Sequence, residues 1–383
     1  MLLACTAHFF VLHLQFSSRM QLDDWAISAI MLIGKIALPT FVLVSGIMLG
    51  HQMEIRQRQL MILRGHLLDR ALFLATIGHI IMALSMTAKS GFREAMIHGY
   101  ITDTLAFCVI SGLFLIPHTS MRIRLALGIL LCLGSWITWL SWSPTDPFLT
   151  PIRSTLIGPS SEANTIISNP LLPWLGLYLI GSSIGEWLGH FQPQNLWRAA
   201  KRLKTMSLVV LATAIGFKAG LMLARDFAGW SLSNSWYLHV SPYQKYPPGP
   251  FYLFLYGGVA LLLISQMLNE QQPLWVKRVT TSLRPIGRNS LLVFLFQSFL
   301  YFTVFFILMK ETELITPFVS LTCFLPLSLL AVWGFAKLCD HFGAMRLLTT
   351  GVPLLLDTLP EFRKKNKGAG AANMYSSEGR RTP

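Results

Sequence analysis

An all-α integral membrane protein, a bundle of about ten transmembrane helices with both termini in the cytoplasm, is the fold class this sequence predicts. Three observations carry that expectation. Only 13% of the 383 residues are charged, about half the roughly 25% a soluble domain carries. Apolar runs long enough for a bilayer-spanning helix recur along most of the chain, and the mean hydropathy is +0.54. The basic residues are unevenly shared between alternate connections: of 31 Lys and Arg, 22 fall in one set of loops and the C-terminal tail, seven in the opposite loops and two within spans. A soluble globular enzyme, a coiled coil and a disordered chain are all excluded. The formal charge of +14 is explained by membrane orientation before nucleic acid is invoked, because the cations sit between apolar runs.

The spans predicted in chain order are 1–16, 25–50, 71–87, 100–117, 124–142, 170–189, 206–224, 250–268, 290–309 and 314–336. The first lacks the basic start and small-residue cleavage site of a secretory signal, so it is expected to remain as a helix. Between the second and third spans lie Arg56, Arg58, Arg64 and Arg70; further along come Arg122 and Arg124, then Arg198, Lys201, Arg202 and Lys204, then Lys277, Arg278, Arg284 and Arg288. Cytoplasmic loops carry the Lys/Arg excess, so these connections and both termini are placed inside. The long loops 143–169 and 225–249 then fall outside, where their Trp, Tyr, Pro, Ser and Asn could cap a site. Residues 1–337 form the transmembrane domain and 338–383 a cytoplasmic tail, expected to be disordered from about 364 because it is rich in Gly, Ala, Ser and charge. No internal repeat is evident. The five cysteines have neither paired nor metal-ligand spacing and fit as small buried hydrophobes.

Ionisable side chains inside a bilayer cost roughly 2.5–3.5 kcal/mol at a helix centre, so each one in a span is a functional candidate. His8 and His13 lie on the first span, and an imidazole can serve as a general base near neutral pH. Lys35 sits between Gly34 and Pro39, and Lys218 follows Gly216; Asp103 could partner either one. His79, in the third span, fits packing better than chemistry. Lys245 and Tyr246 precede Pro247 and Pro248, which fix the backbone ahead of the eighth span. On the inner side Arg284, Arg288 and Asn289 precede the ninth span, where cations and helix-start N–H groups would suit a phosphate-bearing coenzyme. No Gly-x-Ser-x-Gly, Walker loop or His-Glu-x-x-His occurs.

Five strings occur in order over about residues 1–310: Ala7-His8-Phe9-Phe10; Leu38-Pro39-Thr40-Phe41-Val42-Leu43-Val44-Ser45-Gly46, followed by the basic segment with Arg64-Gly65 and Arg70; Pro170-Leu171-Leu172-Pro173-Trp174-Leu175-Gly176; Lys245-Tyr246-Pro247-Pro248; and Gly287-Arg288-Asn289-Ser290. Together they resemble the bacterial membrane proteins related to heparan-alpha-glucosaminide N-acetyltransferase, within the wider transmembrane acyltransferase group. The resemblance implies acyl transfer across a membrane, from cytoplasmic acyl-CoA (acetyl-CoA) as co-substrate, with no permanently bound cofactor and no metal, to a saccharide or cell-envelope glycan acceptor at the outer face. His8 or His13 would act as base or carry the acyl group. Lys245, Tyr246, Asp103 and Lys35 would serve the acceptor side, and Arg284, Arg288 and Asn289 the coenzyme. Where the family often carries a ninth-span histidine, this chain has Gln297.

The bilayer is the first partner implied, in a bacterial inner membrane, with self-association left open and nucleic acid excluded. A different class stays in view: a carrier or exporter on the same fold, with Lys35, Asp103 and Lys218 lining a path.

Overall fold

The structure, a computed structural model, describes residues 2–16, 32, 34–55, 60–158, 169–228, 247–269, 272–311 and 320–344. Helices account for nearly all of them. In order they are α1 (Leu2–Phe16), α2 (Ala37–Ile55), α3 (Leu60–Phe73), α4 (His79–Ser90), α5 (Phe92–Ile97), α6 (Ile101–Leu115), α7 (Met121–Ser141), α8 (Leu149–Leu156), α9 (Leu171–Gly189), α10 (Leu196–Ala228), α11 (Pro250–Met267), α12 (Leu274–Arg288), α13 (Ser290–Phe299), α14 (Phe306–Glu311) and α15 (Leu325–Phe342). Seven of the described helical stretches are long and apolar enough to cross a membrane. They cover seven of the ten predicted spans. The predicted tail lies outside the described residues, apart from 338–344, which close α15.

The centre of the bundle is the parallel pair α2 and α9. Within lipid, apolar surface gains little from meeting apolar surface, so close van der Waals contact decides which helices associate. Here small residues recur four apart on both partners: Gly46 and Gly50 on α2, Gly181 and Gly185 on α9. A methyl group added at Gly46 would collide with the Tyr178 carbonyl, one at Gly50 with Ser182, and ones at Gly181 and Gly185 with the Leu43 and Ile47 carbonyls. Only hydrogen at these four positions lets the two backbones approach this closely. Helix α7 crosses the other side of α9 antiparallel, with Gly128 against Gly176 at 2.7 Å for an added Cβ.

Polar contacts fix the same register at the ends. Arg124, 1% exposed, is bonded to Glu186 and donates to the carbonyls of Ile116 (3.1 Å) and Thr119 (2.6 Å). The pair ties the start of α7 to the end of α9, and a buried guanidinium of this kind is tolerated because both of its terminal nitrogens meet acceptors. Around this centre Trp174 and Tyr178 of α9 pack with Leu43 of α2 and Tyr252 of α11 in one core. Tyr252 also donates to the Lys35 carbonyl at 3.1 Å, joining the starts of α11 and α2.

Helix α10 lies antiparallel on α11, held by the Ser207 hydroxyl on the Gly258 carbonyl (2.8 Å). Its outward face is strongly apolar and exposed, with Leu208, Val209 and Ile215 half or more accessible, as expected of a lipid-facing helix. A second core joins α1 to the last helices through Cys5, Phe9, Phe10, Val293, Tyr301, Phe305 and Val332.

Three of the described spans contain π-helical turns, and one of these turns, Ser320–Phe324, leads into α15. Leu74–Gly78 joins α3 to α4, and Leu300–Phe305 joins α13 to α14. Such turns insert an extra residue into the helical repeat and commonly mark functional sites. Two expectations are corrected here. The segment before the ninth span is not a loop: Leu274–Arg288 is a helix, and the Asn289 N–H donates to the Pro285 carbonyl while Val293 donates to Asn289. The N–H groups of Asn289 and Val293 at this joint are therefore already used. In the connection 143–169, expected to be a loop, α8 is helical and carries Arg153, 2% exposed, which donates to the carbonyls of Trp139 (2.9 Å), Trp142 and Gly158.

Candidate functional site

Two polar clusters lie within the bundle and a basic face closes one end. The first cluster surrounds His8. The helical repeat of α1 places Cys5 one turn before His8, on the same side of the helix. The Cys5 thiol donates to the Gln297 Oε1 at 2.8 Å. Gln297 is fully buried, and its Nε2 has no hydrogen-bond partner among the described residues. The π-helical turn that follows delivers Phe302 and Tyr301 to His8, with ring centroids 5.1 and 6.3 Å away. Tyr301 then donates to the Ser328 hydroxyl of α15 at 2.8 Å. A histidine, a thiol, an amide and a phenol thus share one small interior region. His13 follows on α1; its side chain lies outside the described residues.

The second cluster corrects two expectations. His79, expected to serve packing, faces the Asp103 carboxylate, its Nδ1 3.0 Å from each oxygen. Asp103 therefore partners His79 and neither Lys35 nor Lys218. Its Oδ2 also accepts the Tyr100 N–H at 2.8 Å, capping α6. The other imidazole nitrogen of His79 lies 3.1 Å from the Met96 carbonyl. Both ring nitrogens thus lie within hydrogen-bond distance of an oxygen. This arrangement exists because α5 folds back along α4 and returns the chain to the level of His79 before α6 begins. Tyr100 stacks edge-on to His79 at 5.4 Å, and its hydroxyl donates to the Ala95 carbonyl.

His98 and Tyr100 belong to the connection between spans. Burial pushes the His98 imidazole below its ordinary value, against the pull of Asp103. Burial, with the Asp103 charge adding to it, pushes the Tyr100 phenol up to about 12.

The remaining predicted residues are scattered. Lys218 lies with its ammonium 5.2 Å from the Phe251 ring. Lys35 is in the turn before α2. Lys245 and Tyr246 lie outside the described residues, although Pro247 and Pro248 are buried, Pro247 against Gly158. Arg284 and Arg288 are exposed on the last turns of α12, with Arg288 3.5 Å from Asp340. Asn289 is buried and spends its amide on the Pro285 (3.0 Å) and Ala336 (3.3 Å) carbonyls. It is a joint between α12, α13 and α15, so any coenzyme contact at this end falls to the two arginines. Among the described residues no three His, Cys, Asp or Glu side chains gather as a metal-binding group.

Sequence reasoning passed over the His79–Asp103 pair, although two ionisable residues near one bilayer level were a signal for it. It also passed over the two small-x-x-x-small repeats and the Cys5–Gln297 bond. The last had no local signal, because its partners are 292 residues apart.

Long apolar helices with histidine, carboxylate and amide groups buried among them define a polytopic helical membrane protein with polar centres inside its bundle. Residues 1–217 match the family described as "Heparan-alpha-glucosaminide N-acetyltransferase, catalytic". The match spans more than half of the chain, and the protein belongs to this family of membrane acetyltransferases. No curated protein and no solved structure matches it.

Proposed function

We propose that this protein is an acyl-CoA-dependent transferase that moves an acyl group, most simply acetyl, to a hydroxyl or amine of a saccharide or cell-envelope glycan at the outer face. The observation that carries the reading is the family match over residues 1–217, which includes His8 and Cys5 on α1.

In this scheme His8 is the general base. It takes the proton of the acceptor O–H or N–H as that atom attacks the thioester carbonyl. The carbon–sulfur bond breaks, and coenzyme A leaves as a thiolate that receives the proton. Gln297 and Tyr301 are positioning residues: the amide holds Cys5, and the phenol packs on the imidazole. The free Nε2 of Gln297 is one donor able to meet a developing oxyanion. At the other end Arg284 and Arg288 offer cations to the coenzyme phosphates.

Calorimetry of acetyl-CoA with the purified full-length protein tests the donor half. Micromolar binding that weakens about a hundredfold or more in Arg284→Ala/Arg288→Ala is expected, since charge-assisted bonds contribute about 1.5–3 kcal/mol each. An absence of binding by folded protein would contradict the reading.

A further inference from the structure

Between the start of α10 and the end of α11 lies a cleft of about 360 Å³, lined by Trp197, Ala200, Lys201, Lys204, Ser265, Gln266 and Asn269. It is separate from both polar clusters and from Arg284 and Arg288. Its composition follows from helical spacing. Trp197, Lys201 and Lys204 are four and three residues apart and so share one face of α10. The antiparallel partner supplies the amides of Gln266 and Asn269 opposite them.

The electrostatics favour an anion. Neither Lys201 nor Lys204 has a carboxylate partner among the described residues, and the cleft lining contains no acidic side chain. A helix C-terminus normally repels anions through its unpaired carbonyls. Here Gln272 Nε2 donates to the carbonyls of Gln266 (2.6 Å) and Met267 (2.9 Å), so those dipoles are already answered. Ser265, 3% exposed, turns its hydroxyl onto the Leu262 carbonyl at 2.7 Å and leaves the lysines and amides to face the cleft.

The surroundings decide which kind of anion. Trp197 is 48% exposed at the rim, an aromatic suited to the bilayer interface. From the cleft, exposed apolar side chains continue along the same face of α10: Leu208, four residues beyond Lys204, and Ile215, two turns further on. A soluble phosphate compound has no use for that strip, whereas acyl chains do. We infer that this cleft binds the headgroup phosphate of an anionic phospholipid, with Lys201 and Lys204 on the phosphate, Gln266 and Asn269 on headgroup hydroxyls, and the acyl chains along α10. Basic pockets between membrane helices bind lipid headgroups on this principle.

The test uses full-length protein purified into neutral phosphatidylcholine nanodiscs and titrated with phosphatidylglycerol, retention being read by native mass spectrometry. Phosphatidylglycerol should be retained in preference to phosphatidylcholine. Lys201→Ala/Lys204→Ala should weaken it about tenfold or more, and Arg202→Ala, on the same helix but outside the cleft, should not. Inorganic phosphate and coenzyme A should fail to displace the lipid. Equal retention of both lipids, or undiminished retention by the double variant, would overturn the inference. Displacement by coenzyme A or phosphate would overturn it in favour of a soluble ligand. A measurement on the unmodified protein guards against misfolding of the variant. Phosphatidylglycerol should shield Lys201 and Lys204 from an amine-reactive reagent while Lys277, exposed on α12, stays reactive; equal labelling of all three would also count against the site.

Discussion

At the scale of single residues, the bundle spends its polar side chains in pairs whose partners come from distant parts of the chain. Arg124 with Glu186, His79 with Asp103 and Cys5 with Gln297 each join separate helices. The members were visible in the sequence as costly groups in apolar surroundings, but pairing depends on which helices touch. Asp103 illustrates this: a lysine was the expected partner by charge alone, and the fold-back of α5 delivered His79 instead. His98, in the same connection, makes a prediction about acid. Its folded-state pKa lies below the ordinary 6.5, so as pH falls through 6.5 the unfolded chain takes up the proton first. That linkage removes stability on the acid side and has no effect well above 6.5. Thermal unfolding in detergent should therefore lose less stability between pH 7.5 and 5.5 in His98→Gln than in the wild type. An identical acid loss in the variant would contradict the assignment.

At the scale of elements, the helices were legible and their joints were not. Hydropathy and period identified the apolar stretches, since a spanning helix needs about 20 apolar residues whatever its neighbours do. The π-helical turns at Leu74–Gly78 and Leu300–Phe305 left no such mark, because they answer to packing between helices. The basic segment before α13 looked like a loop because it is poor in apolar residues. It is a helix with exposed Leu274, Trp275 and Val279 as well as cations, a composition suited to the membrane interface.

Glycine separates packing from propensity. Gly185 lies at the α2–α9 crossing, and Gly216 has nothing within 4 Å of an added Cβ. Gly185→Ala is expected to cost about 1–3 kcal/mol through overpacking and to lower the melting temperature. Gly216→Ala should be neutral or should gain about 0.5–1 kcal/mol from reduced chain entropy. Equal effects of the two substitutions would mean that the crossing is looser than its glycines imply.

At the scale of the whole molecule, the parallel α2–α9 pair is a rigid centre, and α1 with α13–α15 forms a second core against it. The family resemblance was legible in short strings, two of which lie at the tightest crossings of the fold. Leu38–Gly46 and Pro170–Gly176 contribute to the central crossings, and Gly287–Ser290 is the α12–α13 joint. His8 lies in the second core, where the π-helical turn and α15 meet α1. Substrate specificity was not legible, since Lys245 and Tyr246, the residues proposed for the acceptor, belong to no apolar period in the sequence.

The central claim is that acyl transfer runs through the α1 histidine cluster. The most direct measurement is transfer of labelled acetyl from acetyl-CoA to a panel of saccharide acceptors by the full-length protein in proteoliposomes, comparing wild type with His8→Ala and His13→Ala. The account predicts transfer by the wild type and by His13→Ala, and a loss in His8→Ala of 10²-fold or more, roughly the contribution of a general base. Full activity in both histidine variants would contradict it.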